Sequence, residues 1–343
     1  MFSKFNRRDF LRKTAATGLT LGLGTRAFPF INNRFDENDI KIGVIGLDTS
    51  HAVAFTKMIN DPDNVTMRGY SVVSAYPYGS RTIESSYSRI PGYIEDMKGI
   101  GVELADSLDN LLDRVDVVLL ETNDGNLHLD QALEIFKAGK PVFIDKPVAG
   151  SLKDAIAIYK AAGEYDVPVF SSSSLRWAKN NYKLRNGELI GKITGADTYS
   201  PASIEPSHPD LFWYGVHGVE NLFTVMGTGC KEVVRVHRSG TDIVAGTWED
   251  GRIGTFRGLR TGRTGYGGTA FGEDGIQEIG PYEGYRPLVE EIIKFFKTAV
   301  PPVSKEETIE IFAFMEAADE SKRRGGQPVQ MEEVLESAGE GIR

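Results

Sequence analysis

The apolar positions of this chain fall into two textures. Residues 40–47, I-K-I-G-V-I-G-L, form a nearly continuous apolar run of strand length, the pattern of a strand covered on both faces. Asp48, Thr49 and Ser50 are good helix N-caps, so a helix is expected over the following A-V-A-F-T-K-M-I. Then come S-V-V-S-A (71–75), a loop rich in Tyr, Ser and Gly, and the amphipathic stretch S-L-D-N-L-L-D-R (107–114). V-D-V-V-L-L-E-T (115–122) reads as another buried strand, L-D-Q-A-L-E-I-F-K-A-G (129–139) as a helix ending at Gly139, and P-V-F-I-D-K-P (141–147) as a further strand. Strands alternating with helices over about 110 residues predict βαβ units and a parallel sheet.

The second texture begins near residue 190. Short β-like runs, E-V-V-R-V-H-R (232–238), D-I-V-A-G-T-W (242–248) and R-I-G-T-F-R-G-L-R (252–260), are separated by turn signals such as Glu249-Asp250-Gly251. They predict a mainly antiparallel sheet in a second domain. Helical periodicity returns at 286–299 and 306–324. The expected fold is therefore α/β: a Rossmann-type parallel-sheet domain at 36–150, then an α+β domain at 151–343.

Composition narrows the function classes. With 39 Lys+Arg against 48 Asp+Glu, the net charge of −9 argues against nucleic acid as partner. Cys230 is the single cysteine, which excludes an internal disulfide and a cysteine zinc site. No apolar run approaches the roughly 20 residues of a membrane span, so a soluble mature protein is expected.

Residues 1–35 read as a signal and linker. N-R-R-D-F-L-R-K (6–13) precedes the weakly apolar T-A-A-T-G-L-T-L-G-L-G (14–24), and Arg7-Arg8 with Phe10-Leu11 resembles a twin-arginine export signal. The expectation is a folded protein exported to the periplasm by that machinery. Thr25-Arg26-Ala27 is a poor cleavage site, so a tethered form is the alternative.

Four segments could carry chemistry. The loop Gly46-Leu47-Asp48-Thr49-Ser50-His51 lies where an α/β sheet holds a phosphate at a helix N-terminus, although Asp48 takes the place of the second fingerprint glycine. A carboxylate there repels a pyrophosphate unless it points away, and a simply capped turn reads equally well. Ser80 and Arg81 offer an alternative to the missing ribose-binding acid and would favour NADP, unless they form only a solvated loop. Lys146, directly after a strand and before Pro147, can polarise a carbonyl or hydroxyl, or merely end its strand. His217 lies in a helix-like apolar stretch with Trp213, Glu220 and Asn221 at helical spacings; by spacing alone a core histidine is the commoner case. His51, His128 and His208 show no metal-like pairing with carboxylates, and no metal is expected.

Taken together, these segments resemble the Gfo/Idh/MocA oxidoreductase family from about residue 40 to residue 331. K-I-G-V-I-G-L looks like its first strand. T-N-D-G-N-L-H is similar to its T-P-N-x-x-H nucleotide loop, keeping Thr122 and His128, with Asn123 as a further cofactor-side candidate. A-G-K-P-V-F-I-D-K-P-V-A is similar to A-G-K-H-V-x-x-E-K-P-L-A, with Asp145 before Lys146 at the family's active-site lysine. W-Y-G-V-H-G-V-E-N-L-F resembles its D-x-G-x-H-x-x-D-x-L helix and puts His217 on the catalytic histidine. The chain departs from the family at Trp213, where many members carry an Asp, and Glu220 replaces a second Asp.

The resemblance implies a tightly held NAD or NADP and hydride transfer from a secondary hydroxyl of a sugar or cyclitol, in a homo-oligomer. His217 would be the general base and Lys146 would stabilise the developing charge on oxygen. Trp213, Tyr214 and Glu220 are the substrate-side candidates. Export favours a reaction that regenerates its own cofactor, so a redox-neutral glycoside hydrolase or lyase is the first alternative. A sugar-binding protein that has lost the cofactor is the second.

Overall fold

The computed structural model describes residues 40–339; the export signature at residues 6–24 lies outside the described residues. Six strands form the first sheet: β1 (Ile40–Ile45), β2 (Tyr70–Tyr76), β3 (Glu103–Leu104), β4 (Val117–Leu120), β5 (Val142–Asp145) and β6 (Val169–Ser172). Their order is β3-β2-β1-β4-β5-β6 and every pairing is parallel. The chain order reverses between β1 and β4, so the ligand crevice of such a sheet lies outside their carboxyl ends. The sheet takes its sixth strand from beyond residue 150, where the sequence placed the domain boundary. V-F-S-S is too short and polar-ended to stand out, and it is recruited because the preceding helix returns the chain to the sheet edge.

Burial on both faces explains the continuous apolar runs, because alternate strand residues serve opposite layers. Ile42, Val44, Val117, Leu119 and Phe143 pack under α1 (Ser50–Ile59) and α2 (Ile90–Gly99), while Ile45, Val118, Leu120 and Ile144 join the core with α3 (Leu108–Leu112), α4 (His128–Lys137) and α5 (Leu152–Tyr165). Helix α4 ends where Gly139 adopts φ +66.

The second sheet comprises β7 (Ile193–Pro201), β8 (Cys230–Arg238), β9 (Thr241–Trp248), β10 (Ile253–Leu259), β11 (Gly267–Gly272), β12 (Gly275–Glu278) and β13 (Val329–Gln330). Its order is β12-β11-β7-β10-β9-β8-β13, antiparallel except for the β7–β10 pair. Helix α6 (Val216–Met226) lies on this sheet, closely enough that a Cβ on Gly218 would come within 2.3 Å of the Phe256 ring. Two long helices follow. α7 (Arg286–Thr298) inserts Leu288, Val289, Ile292 and Phe295 into the core beneath α1, and each such side chain contributes on the order of 1.5–3 kcal/mol. α8 (Lys305–Arg323) places Phe312 and Phe314 in the core shared by α5, α6 and the second sheet. α6 thus stands opposite the carboxyl ends of β5 and β6. Among the described residues, no helix is long and apolar enough to cross a membrane.

Candidate active site

At the end of β1 the chain turns through Gly46, whose φ of +90 suits glycine and whose absent Cβ would sit 2.5 Å from the Thr122 backbone nitrogen. Thr49 then caps α1, its Oγ1 accepting from the His51 N–H at 3.4 Å. Asp48 points away from this helix start. It is fully buried and accepts from the backbone N–H groups of Ser80 (2.7 Å) and Asn123 (3.0 Å), joining the loops after β1, β2 and β4. Burial nevertheless pushes its carboxyl up from the usual range. The early N–H groups of α1 therefore stay open to an anion, because the carboxylate is engaged elsewhere.

The ends of β4 and β5 carry a second set of charges. His51 Nδ1 lies 2.7 Å from Asp145 Oδ2, its ring stacked on Phe55 at 5.2 Å and edge-on to Tyr285 at 4.8 Å. The sequence shows no metal-like pairing of His51 with a carboxylate, and the carboxylate it meets is 94 residues away in the chain, beyond the reach of a spacing rule. His208 likewise meets a carboxylate, Asp124, at 3.4 Å. Burial raises the Asp145 carboxyl, but His51 and Lys146 outweigh that and hold it below the usual range. Glu121 is wholly buried, neither of its carboxylate oxygens has a hydrogen-bond partner, and burial with help from Asp145 holds its carboxyl well above the ordinary value. Lys146 is buried, and its ammonium makes neither a hydrogen bond nor an ion pair among the described residues. It faces the Tyr214 ring, 5.8 Å from the centroid.

Opposite them, α6 presents His217. Its Nδ1 is 2.7 Å from Ser173 Oγ just beyond β6, and Ser173 Oγ also accepts from the Leu175 N–H at 3.2 Å. Burial first, and then the Lys146 charge, hold the imidazole well below its ordinary pKa, so it is neutral near pH 7. Glu220, one turn on, is turned away from the cavity. It accepts from Ser172 Oγ, the Ser173 N–H and Arg176 Nε at 3.0, 2.8 and 2.7 Å. It anchors the segment that carries Ser173 and leaves no oxygen for a substrate.

These elements enclose a cavity of about 410 Å³. Thr49, Ser50, His51, Asn123, Lys146, Trp213, Tyr214 and His217 all line it. The remaining sequence candidates lie elsewhere. Ser80 is fully buried, its hydroxyl donating to Asp124 at 3.1 Å, and Arg81 is exposed beside the Tyr78 ring. His128 sits behind the loop with its ring nitrogens on the carbonyls of Thr122 (2.6 Å) and Val148 (3.2 Å), so it straps two loops together. Thr122 packs behind Gly46, and Asp145 reaches the cavity only through His51.

The sequence alone did not point to several residues that line the cavity. Tyr266, Tyr282 and Tyr285 join Tyr214 in the cavity wall, with Tyr214 and Tyr266 hydroxyls 3.0 Å apart, and Arg89 adds a cation at the rim. The signal was available: R-T-G-Y-G-G and G-P-Y-E-G-Y are glycine-rich loops holding large aromatic rings, a combination with little packing purpose outside a binding site.

Residues 40–173 match the model of the Gfo/Idh/MocA oxidoreductase family, described as an NAD-binding Rossmann fold. No curated protein matches the sequence. Solved structures share the fold along nearly their whole length. The scyllo-inositol dehydrogenase of Lactobacillus casei is 16% identical with a TM-score of 0.69, covering 87% of this chain and 99% of its own. The myo-inositol 2-dehydrogenase of Lactobacillus plantarum is 15% identical with a TM-score of 0.68, covering 85% and 99%. An Agrobacterium radiobacter oxidoreductase, solved with NAD+, L-tartaric acid and magnesium, is 15% identical with a TM-score of 0.68, covering 87% and 100%. Residues 40–173 are thus similar to the NAD-binding Rossmann domain of the Gfo/Idh/MocA oxidoreductases, and the chain shares its fold with these solved structures.

Proposed function

We propose that the protein is an NAD(P)-dependent oxidoreductase acting on a secondary hydroxyl of a sugar or cyclitol, with a retained cofactor. The observation that carries this reading is the convergence of Lys146 and His217, 71 positions apart in the chain, on one aromatic cavity at the sheet's carboxyl edge. The cofactor fits the residues present: the capped start of α1 offers N–H groups, Asp48 is directed into backbone amides, and Thr49, Ser50 and Asn123 open onto the cavity. When bound, the nicotinamide accepts or returns the hydride. Lys146 donates to the substrate oxygen and stabilises its developing negative charge. The neutral His217 exchanges the hydroxyl proton through Nε2.

Ser173 lets that proton move in either direction. A hydroxyl both donates and accepts, so Ser173 suits either tautomer of His217, whereas a carboxylate would fix the proton on Nδ1. The tyrosine-rich wall supplies flat apolar surface with hydroxyl edges, the chemistry that recognises a sugar or cyclitol ring.

The reading extends to export by the twin-arginine route into the periplasm, cleaved or tethered, supported by residues 6–24. It also includes a homo-oligomer formed on the outer face of the second sheet, supported by exposed Tyr199, Val236 and Ile253. The test is isotopic: with a cyclitol or sugar deuterated at the reacting carbon, deuterium should appear at the nicotinamide C4 and should vanish in His217→Gln. Free sugar released from a glycoside with no net reduced cofactor would favour the redox-neutral hydrolase. Tight sugar binding with no nucleotide and no transfer would favour the binding protein and overturn the proposal.

A further inference from the structure

The buried polar atoms left unmet at the ends of β4 and β5 serve no step in the reaction above. Neither Glu121 oxygen has a partner, and Asp145 Oδ1 has none either. Strand alternation puts Glu121 on the same face as Leu119, and Asp145 on the same face as Phe143, the face covered by α1. The first turn of α1 brings His51 to the same point, and ligand atoms of His51, Glu121 and Asp145 all lie within 4.8 Å of one another.

We propose that His51, Glu121 and Asp145 hold a divalent cation of the class that accepts imidazole together with carboxylates, such as Mn2+ or Zn2+. Three of the four carboxylate oxygens of Glu121 and Asp145 meet no hydrogen-bond donor among the described residues, so they are available to a cation. His51 Nδ1 and Asp145 Oδ2, 2.7 Å apart, already converge as two ligand atoms would, and a cation would replace their hydrogen bond. Helix packing supports the ring of His51 on Phe55 and Tyr285, as a ligand needs, and its exposure to the cavity provides the entry path. This site does not depend on the nucleotide, so the two proposals succeed or fail separately.

The experiment uses the full chain, stripped with chelator, equilibrated with Mn2+ and desalted. Elemental analysis gives the metal ratio and electron paramagnetic resonance the coordination. One Mn2+ per chain is expected, with affinity lowered about tenfold or more in Glu121→Gln at an unchanged circular dichroism spectrum. His51→Gln supplies the same comparison if Glu121→Gln does not fold. Negligible Mn2+ in the wild type, or equal uptake by the folded variants and the wild type, overturns the site. Nucleotide measured in the same samples reports on the oxidoreductase reading independently.

Discussion

Two clusters of buried charge flank the cavity, and they differ in how completely they are paired. In the first, Arg176 bonds Glu220 at 2.7 Å and Glu307 at 2.6 Å, while Arg185 closes on Glu307 at 3.0 and 2.9 Å. Every carboxylate oxygen there has a donor, and Arg176 Nη2 is its single unmet atom. In the second, among the described residues, the His51–Asp145 contact is the cluster's one side-chain hydrogen bond, three carboxylate oxygens are unmet, and the Lys146 ammonium makes no ion pair. A saturated network positions backbone, here the segment carrying Ser173. An undersaturated one in a cleft keeps its charges available for ligand and chemistry.

The largest expected effect lies in the saturated cluster. Arg176→Met removes the cation paired with buried Glu220 and one of the two on Glu307, and should lower stability by about 3–5 kcal/mol in urea unfolding. A loss under about 1 kcal/mol would show that this network is not the scaffold. Lys146→Met, in the other cluster, should leave stability nearly unchanged and cost about 10²–10³ in single-turnover hydride transfer. If instead it unfolds the protein as Arg176→Met does, the contrast between the clusters fails.

Ser173→Ala separates positioning from packing. We expect kcat to fall on the order of tenfold with KM little changed, and the pH profile of kcat to move, because the imidazole loses the partner that accommodates both tautomers. An unchanged pH profile with a lower unfolding midpoint would make Ser173 merely structural.

The smallest effect concerns pH. His217 is held below its ordinary pKa, so on acidification the unfolded chain takes up this proton first, near pH 6.5, and the folded chain only further down. Its contribution is therefore a stability loss that begins as pH falls through about 6.5 and ends once the folded pKa is passed. His217→Gln should flatten that part of the stability curve. For the same reason kcat/KM should not titrate near 6.5 in the wild type.

How much of this was legible in the sequence follows from chain distance. Strands such as Val117–Leu120 show themselves because burial on both faces leaves an unbroken apolar run. Lys146 and His217 could be picked out because each sits in a distinctive local frame, a strand end before proline and an apolar helix. Glu121 could not, since at the end of V-D-V-V-L-L-E it resembles any strand-terminating acid until the fold buries it beside Asp145. Glu220 and His128 had the right residue type in the right order, but their hydrogen bonds turn them from the cavity. Side-chain direction at that level is set by tertiary partners that no local pattern contains.

Native mass spectrometry of the full chain, purified without added nucleotide, tests the central claim most directly. The account predicts each chain to be heavier by one nicotinamide dinucleotide. A spectrum of bare chain that stays bare after incubation with NAD+ and NADP+ would contradict it.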